Sequence, residues 1–437
     1  MVRIERYVLY SLPIISLGIE LVRSFLGPDT KIMAVRDHGV FLIIMYLLLR
    51  YIRQVVQFNL PLVLMMIYFF VTLVIQGFEL AQYNFFIRVF DAKMLLPLGF
   101  VFASSYDHIR ELNKRFLVMN ILFVSSIIIF SILGVGNDQY GSESGFKTGN
   151  LMHSRIYVGS FLLLILPVIY SDFKSKFAQN ASLILGVATL IILILSVRRT
   201  AVAIVVIGAI VYIYYYRNHF SKIFLNGFLL FVLMFSTFPL YQDILIKQMS
   251  ARSTVFNDRA VTENLEGEIR YAETIAVINE RLLNPDLRVV LFGEHLFDSA
   301  GNYAGGIYKD RPLHLDTNVI LHGAGVVGLL LLISFYGTLY ASYYSLRIRI
   351  QQSEFRNLIA TFLGMYLSHL FILLSGGMSS VTFNMITSLY MGSILGYFTS
   401  VVISRSRRVT QIERSAENTS STPVISPFIF PSSSKGS

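Results

Sequence analysis

Apolar runs of about 20 residues recur along almost the whole chain, and this pattern limits the possible folds more than any other feature of the sequence. They lie near 7–26, 33–49, 58–77, 88–106, 116–135, 154–171, 180–197, 200–216, 223–241, 315–340, 356–375 and 382–403. At ~1.5 Å of rise per residue, such runs match a hydrocarbon core about 30 Å thick. Only 14% of the 437 residues are charged, against about 25% in ordinary globular chains. So little charge could not clothe a soluble protein of this length. The expected fold is therefore an all-α polytopic membrane protein with about twelve transmembrane helices. The first run is too long for a signal-peptide core and lacks a small-residue cleavage site, so it is expected to stay as a span. The fourth run is the weakest, because Arg88, Asp91 and Lys93 crowd its start; an interfacial or re-entrant beginning is the alternative there.

The absence of cysteine excludes disulfides, thiolate metal sites and cysteine nucleophiles. With no tryptophan, any interfacial aromatic belt must come from Tyr and Phe. The net charge of +10 fits basic cytoplasmic loops rather than nucleic-acid binding. Arg50 and Arg53; Arg110, Lys114 and Arg115; Lys174 and Lys176; Arg217 and Lys222; Arg347, Arg349 and Arg356; and Arg405, Arg407 and Arg408 fall in alternate loops. Arg3 and Arg6 precede the first run on the same side. The positive-inside rule makes that side cytoplasmic and places both termini there. Four regions follow: spans one to nine in 1–241, a large external loop in 242–313, spans ten to twelve in 314–403, and a cytoplasmic tail in 404–437. The external side also carries a Gly-rich polar loop at 136–152. The large loop suggests a helix near 262–283 and Gly-rich turns at 293–306. The Ser-, Thr- and Pro-rich tail after Arg408 reads as disordered.

Four groups of residues stand out on the external side. Ser196-Val197-Arg198-Arg199-Thr200-Ala201 interrupts an apolar stretch from 180 to 216, too long for one crossing, so the chain turns at the arginine pair. One reading is a basic turn snorkelling to lipid headgroups. The other is a pyrophosphate site, since two arginines here run against the positive-inside bias and planar guanidinium suits that anion. Thr200 is placed to cap the next helix. The second group opens the tenth run. Pro312 suits a first helical position, and His314, Asn318 and His322 share a helix face while Asp316 points nearly opposite. His314 is a candidate general base; an interfacial cap or a His314–His322 metal site are the alternatives. Gly325 and Gly328 allow close packing.

In the third group, Glu268, Arg270 and Glu273 lie on an amphipathic loop helix with a charged face, most simply a solvated one. Glu268, Glu273 and Asp310 are further acid or base candidates, and Arg311 is one of several loop arginines. Finally, His153 and Arg155 read mainly as a cap and an interface anchor.

Together these residues resemble the O-antigen polymerase and O-antigen ligase superfamily of bacterial envelope polysaccharide assembly. Arg199 corresponds to the arginine of the family's Ser-x-Ser-Arg-Gly-Ala type motif. Arg270 stands in the large loop where the family has an arginine. His314, Leu321, Gly325 and Gly328 follow the family's His, Leu or Ile, and Gly-x-x-Gly order, and Leu291-Phe292-Gly293-Glu294 resembles its Leu-x-Gly segment. The sequence departs from the pattern at Leu315, where the family usually has Asn or Ser, and at Arg198 and Thr200, which replace Ser and Gly. By motif the resemblance covers 180–340, and by topology the whole chain.

The resemblance implies a glycosyltransferase C-like fold in the bacterial inner membrane. It implies a substrate linked to undecaprenyl pyrophosphate, membrane lipid as surroundings, and no metal, cofactor or nucleic acid. A polymerase would transfer the growing glycan to a new lipid-linked repeat unit, alongside a chain-length-regulating co-polymerase and a flippase; a ligase would transfer it to lipid A–core. Polymerase is the expectation, with Arg199, Arg198 and Arg270 on the donor pyrophosphate and His314 as base. The rivals are a flippase or transporter for lipid-linked oligosaccharide, which would place polar residues near the bilayer midplane, and a structural scaffold.

Overall fold

The computed structural model describes residues 2–26, 31–77, 79–135, 146–147, 157–196, 198–217, 238–257, 269–306, 312–350, 354–374, 376 and 381–420. The chain is an all-α membrane protein. Its helices are α1 (Val2–Leu26), α2 (Ile32–Phe58), α3 (Leu60–Gln76), α4 (Leu80–Phe102), α5 (Tyr106–Leu133), α6 (Tyr157–Asp172), α7 (Lys176–Leu195) and α8 (Arg199–Tyr215). After them come α9 (Gln242–Asn257), α10 (Ile269–Val277), α11 (Leu287–Phe292), α12 (Asp316–Arg349), α13 (Arg356–Leu373) and α14 (Val381–Ser420). Among the described residues, seven helices are long and apolar enough to cross a membrane: α1, α2, α5, α7, α12, α13 and α14. The apolar helices α3, α6 and α8 are shorter. Most of the run expected at 223–241 lies outside the described residues.

Local chemistry explains several boundaries. Asn59 accepts from the Leu62 N–H at 3.0 Å and caps α3, with Pro61 in its first turn. Glu79 and Gln82 form a capping box at the start of α4. That start corrects the expectation for the fourth run. α4 is continuous from Leu80, so Asp91 and Lys93 stand mid-helix and are 1% and 4% exposed. The tail expectation is corrected too: α14 runs on to Ser420, because 404–420 contains neither Gly nor Pro.

Among the described residues, α4 and α14 form the closest helix pair. A Cβ on Gly99 would overlap the Leu389 carbonyl oxygen, one on Gly392 that of Leu96, and one on Gly396 that of Phe100. Small residues bring the two backbones into contact, which is how helices associate where lipid removes the hydrophobic drive. Contacts along the other helices sort their ends. Glu5 pairs with Arg50, Arg6 with Glu111, and Tyr106 with Asp172, so α1 and α5 begin where α2 and α6 end. At the opposite end, Gln76 at the close of α3 donates to the carbonyls of Gly293 and Gly323 at 3.3 and 3.0 Å and accepts from the Leu296 N–H at 2.8 Å. The 269–306 segment therefore sits on that second end, called here the loop end.

Candidate functional site

α10 and the π-helical turn that continues it, Ile278–Leu282, carry a buried stripe along one face. Glu273, Val277 and Arg281 are four residues apart, so they stack on one side, and they are 0%, 0% and 5% exposed. Val277 packs with Tyr303, Leu313 and Leu321 in a small satellite core. This core is the physical reason that the stripe turns inward and carries its two charges with it. Glu273 is thus not on a solvated face, which corrects the simplest reading of this helix.

Each buried polar group on the stripe meets a residue of the 312–325 segment. His314 Nδ1 lies 3.1 Å from Glu273 Oε1, and the His314 backbone N–H donates to Glu273 Oε2 at 3.3 Å. The Tyr303 hydroxyl donates to the same carboxylate at 3.5 Å. The His314 side chain is 38% exposed, whereas Glu273 is sealed. An imidazole fixed through Nδ1 by a buried carboxylate presents Nε2 to whatever enters beside it, the arrangement of a general base with its orienting group. Asn318 Nδ2 donates to Thr274 Oγ1 at 2.9 Å. Arg281 reaches His322 Nε2 at 2.9 Å and Glu294 Oε2 at 2.6 Å, while the same His322 nitrogen lies 2.8 Å from the Asn302 carbonyl. One nitrogen cannot both accept from the guanidinium and donate to the carbonyl, so His322 holds one of these bonds at a time.

Two expectations for α12 are corrected. Leu315 is its N-cap, so Pro312 and His314 precede the helix rather than open it. The helix also breaks at Gly325 (φ 63, ψ −163), making two arms, 316–324 and 326–349. Only glycine adopts that backbone readily, and a Cβ there would run into the Leu291 carbonyl oxygen. Gly293 sits against Gly323–Gly325, and the Glu294 N–H donates to the His322 carbonyl at 2.9 Å. The Leu291–Glu294 segment and the Gly325 region, read separately in the sequence, are therefore packed together. Asp316 is 6% exposed.

The arginine turn lies at the same end. α7 ends at Leu195 and α8 begins at Arg199 with Arg198 as its N-cap, so Thr200 is inside the first turn and is not the cap. Gly364 of α13 faces Gly208 of α8, and Thr361 meets Tyr212. The two helices are antiparallel, so Arg199, nine residues before Gly208, stands level with Leu373, nine after Gly364. Gly376, just beyond, lies against the His314 carbonyl. Arg199 is exposed and Arg198 half-buried. Arg270 is the second residue of α10. His153, Arg155, Glu268, Asp310 and Arg311 lie outside the described residues.

Arg281 was not among the sequence candidates. Its signal was its position four residues after Val277 and eight after Glu273, a charge on the apolar stripe. Elsewhere in the bundle, the buried Glu20, Arg36, Asp37 and His369 were also missed. Arg36 donates to Glu20 at 2.6 Å and to Asp37 at 2.7 Å, and Arg88 donates to Asp37 at 2.8 Å. Lys93 Nζ donates to the Tyr336 hydroxyl at 3.1 Å, which lies 3.5 Å from His369 Nδ1; His369 Nε2 is 2.5 Å from Thr387 Oγ1. The sequence reading that polar residues gather at span ends does not hold for Lys93, which stands in the middle of α4. Among the described residues, no group of three or more His, Asp or Glu side chains is arranged to hold a metal ion.

A helical membrane bundle with a buried carboxylate, a half-exposed imidazole and an arginine turn at one end is the class that fold and site define. No protein-family model matches the chain, and no curated protein matches it.

Proposed function

We propose that this protein is a membrane glycosyltransferase of the surface-polysaccharide polymerase kind, working at the outer face of a bacterial inner membrane. The His314–Glu273 pair carries this reading, because it gives an exposed imidazole a fixed tautomer and direction at the end that holds the arginine turn. His314 Nε2 takes the proton of an acceptor sugar hydroxyl. The freed oxygen forms a bond to the anomeric carbon of the growing glycan, and the bond from that carbon to the pyrophosphate breaks. Undecaprenyl pyrophosphate leaves with the electron pair, its charge held by Arg199 with Arg198 and Arg270. The reaction calls for no metal and no cofactor. A co-polymerase and a flippase are the expected partners.

The twelve-span, glycosyltransferase C-like topology belongs to the same proposal. It is supported by the opposite ends of the bundle at which α8 closes and the 269–306 segment sits. The experiment is to mix purified protein in liposomes with a lipid-linked repeat unit. A ladder of longer glycans is expected, and a wild-type protein that leaves the repeat unit unextended contradicts the proposal.

One observation favours a second reading. Lys93, Asp91 and His369 are buried within the spans, where transporters keep polar sites. Movement of labelled lipid-linked repeat unit across the liposome membrane without extension would identify a flippase instead.

A further inference from the structure

We propose that the cleft linked through Tyr303 to the His314–Glu273 pair is a carbohydrate site for a neutral or N-acetylated sugar of the acceptor, an inference that rests on the glycosyl-transfer reading above. The cleft has a volume of about 400 Å³, and its walls include Glu280, Arg281, Asn284, Glu294, His295 and Tyr303. Tyr303 joins it to the reaction site, since the hydroxyl of this residue donates to the carboxylate that orients His314.

The hydrogen bonds already made inside the cleft define what a ligand must bring. Asn284 donates to the Glu280 carbonyl at 2.9 Å and accepts from the Asp286 N–H at 2.8 Å. The Asn302 side chain donates to the Asp298 carbonyl at 2.9 Å. Arg281 is engaged by Glu294 and by the His322 and Asn302 pair. Glu280 uses Oε1 to accept the Gly305 N–H at 3.0 Å, and Glu294 uses Oε2 for Arg281. The second oxygen of each carboxylate remains, and an ionised carboxylate only accepts. The ligand must therefore supply donors, as sugar hydroxyls and acetamido N–H groups do. A pyrophosphate supplies none to these two oxygens, which leaves the donor's anion to the arginine turn and the acceptor's sugar to this cleft.

The backbone gives an independent sign of a built site. His295 (φ 55), Phe297 (φ 63) and Ala304 (φ 53) adopt the left-handed region without being glycine, all within ten residues around the cleft. Such conformations persist where the surroundings over-determine them, and they cluster at ligand sites.

The test is saturation-transfer NMR on the purified protein in lipid nanodiscs. The probes are the methyl glycosides of glucose, galactose and N-acetylglucosamine, with glucuronic acid as the anionic comparison. At least one neutral or N-acetylated probe is expected to receive saturation, and glucuronic acid none. Glu280→Gln keeps the shape and the bond to Gly305 but removes the charge. His295→Gly removes a wall and relieves the left-handed strain, so it folds even if the first variant does not. Each should weaken probe binding about tenfold or more, the scale of one hydrogen bond to a charged group. No saturation of any neutral probe, preferred binding of glucuronic acid, or unchanged binding in a folded variant overturns the proposal. The ladder assay reads the transfer function separately. Normal ladders with an unchanged acceptor KM in both variants would retain the polymerase and discard the cleft.

Discussion

Glu273 is placed to do for His314 what the imidazole cannot do alone: fix which nitrogen carries the proton and which way the ring faces. Glu273→Gln keeps the volume but offers a weaker, half-donor amide to Nδ1. It should slow glycan transfer roughly 10²–10⁴-fold at unchanged protein level, as loss of a general-base arrangement does. Transfer at the wild-type rate in this variant would reduce Glu273 to a packing role. At the arginine turn, a bidentate contact to pyrophosphate requires the guanidinium plane. Arg199→Lys should therefore be nearly as damaging as Arg199→Ala in a chain-extension assay. A fully active Arg199→Lys would show that only a point charge is needed. His314 and Arg199 could be picked out from the sequence because a lone imidazole and an arginine pair stand out against apolar spans. Arg281 could not, and Glu273 only as one of several acid or base candidates, because each looks like one charge among many on a loop helix. Only the packing of Val277 with Tyr303, Leu313 and Leu321 shows that their stripe faces inward.

Among the elements, α12 controls the site most directly, and its elbow is the point at which it fails first. Gly325→Ala puts a side chain into a backbone region used almost only by glycine and against the Leu291 carbonyl. A loss of about 1–3 kcal/mol is expected, read as a lower melting temperature in detergent. Gly337→Ala is the control, since nothing stands within 4 Å of its Cβ and the helix there is regular; it should be neutral or slightly stabilising. Equal melting temperatures for the two variants would contradict the elbow. Run length and charge sufficed to find α1, α2, α5, α7, α12, α13 and α14, because a bilayer imposes one scale on every span. The same rule misjudged α4. Hydropathy treats Asp91 and Lys93 as boundary residues, while here they face neighbouring helices and are partnered or shielded by protein rather than lipid. The elbow in α12 was equally hidden, since Gly325-x-x-Gly328 also describes close helix packing.

Across the whole molecule the two ends of the bundle differ in kind. One collects α1, α5 and α13 starts with paired arginines and carboxylates; the other holds the cleft, the His314–Glu273 pair and the arginine turn. Single cysteines can be labelled cleanly in a chain without native cysteine. Leu283→Cys, exposed at the loop end, should react with an impermeant reagent in whole cells once the outer membrane is opened, and Gln54→Cys should not. Reaction of Gln54→Cys alone would invert the orientation and put the site on the wrong face for lipid-linked glycan. The central claim, proton abstraction by His314 during glycan transfer, is tested most directly by the rate at which His314→Gln extends a lipid-linked repeat unit in proteoliposomes. Glutamine still hydrogen-bonds but takes no proton at neutral pH. The account predicts a rate lower by roughly 10²-fold or more with substrate binding retained; extension at the wild-type rate would contradict it.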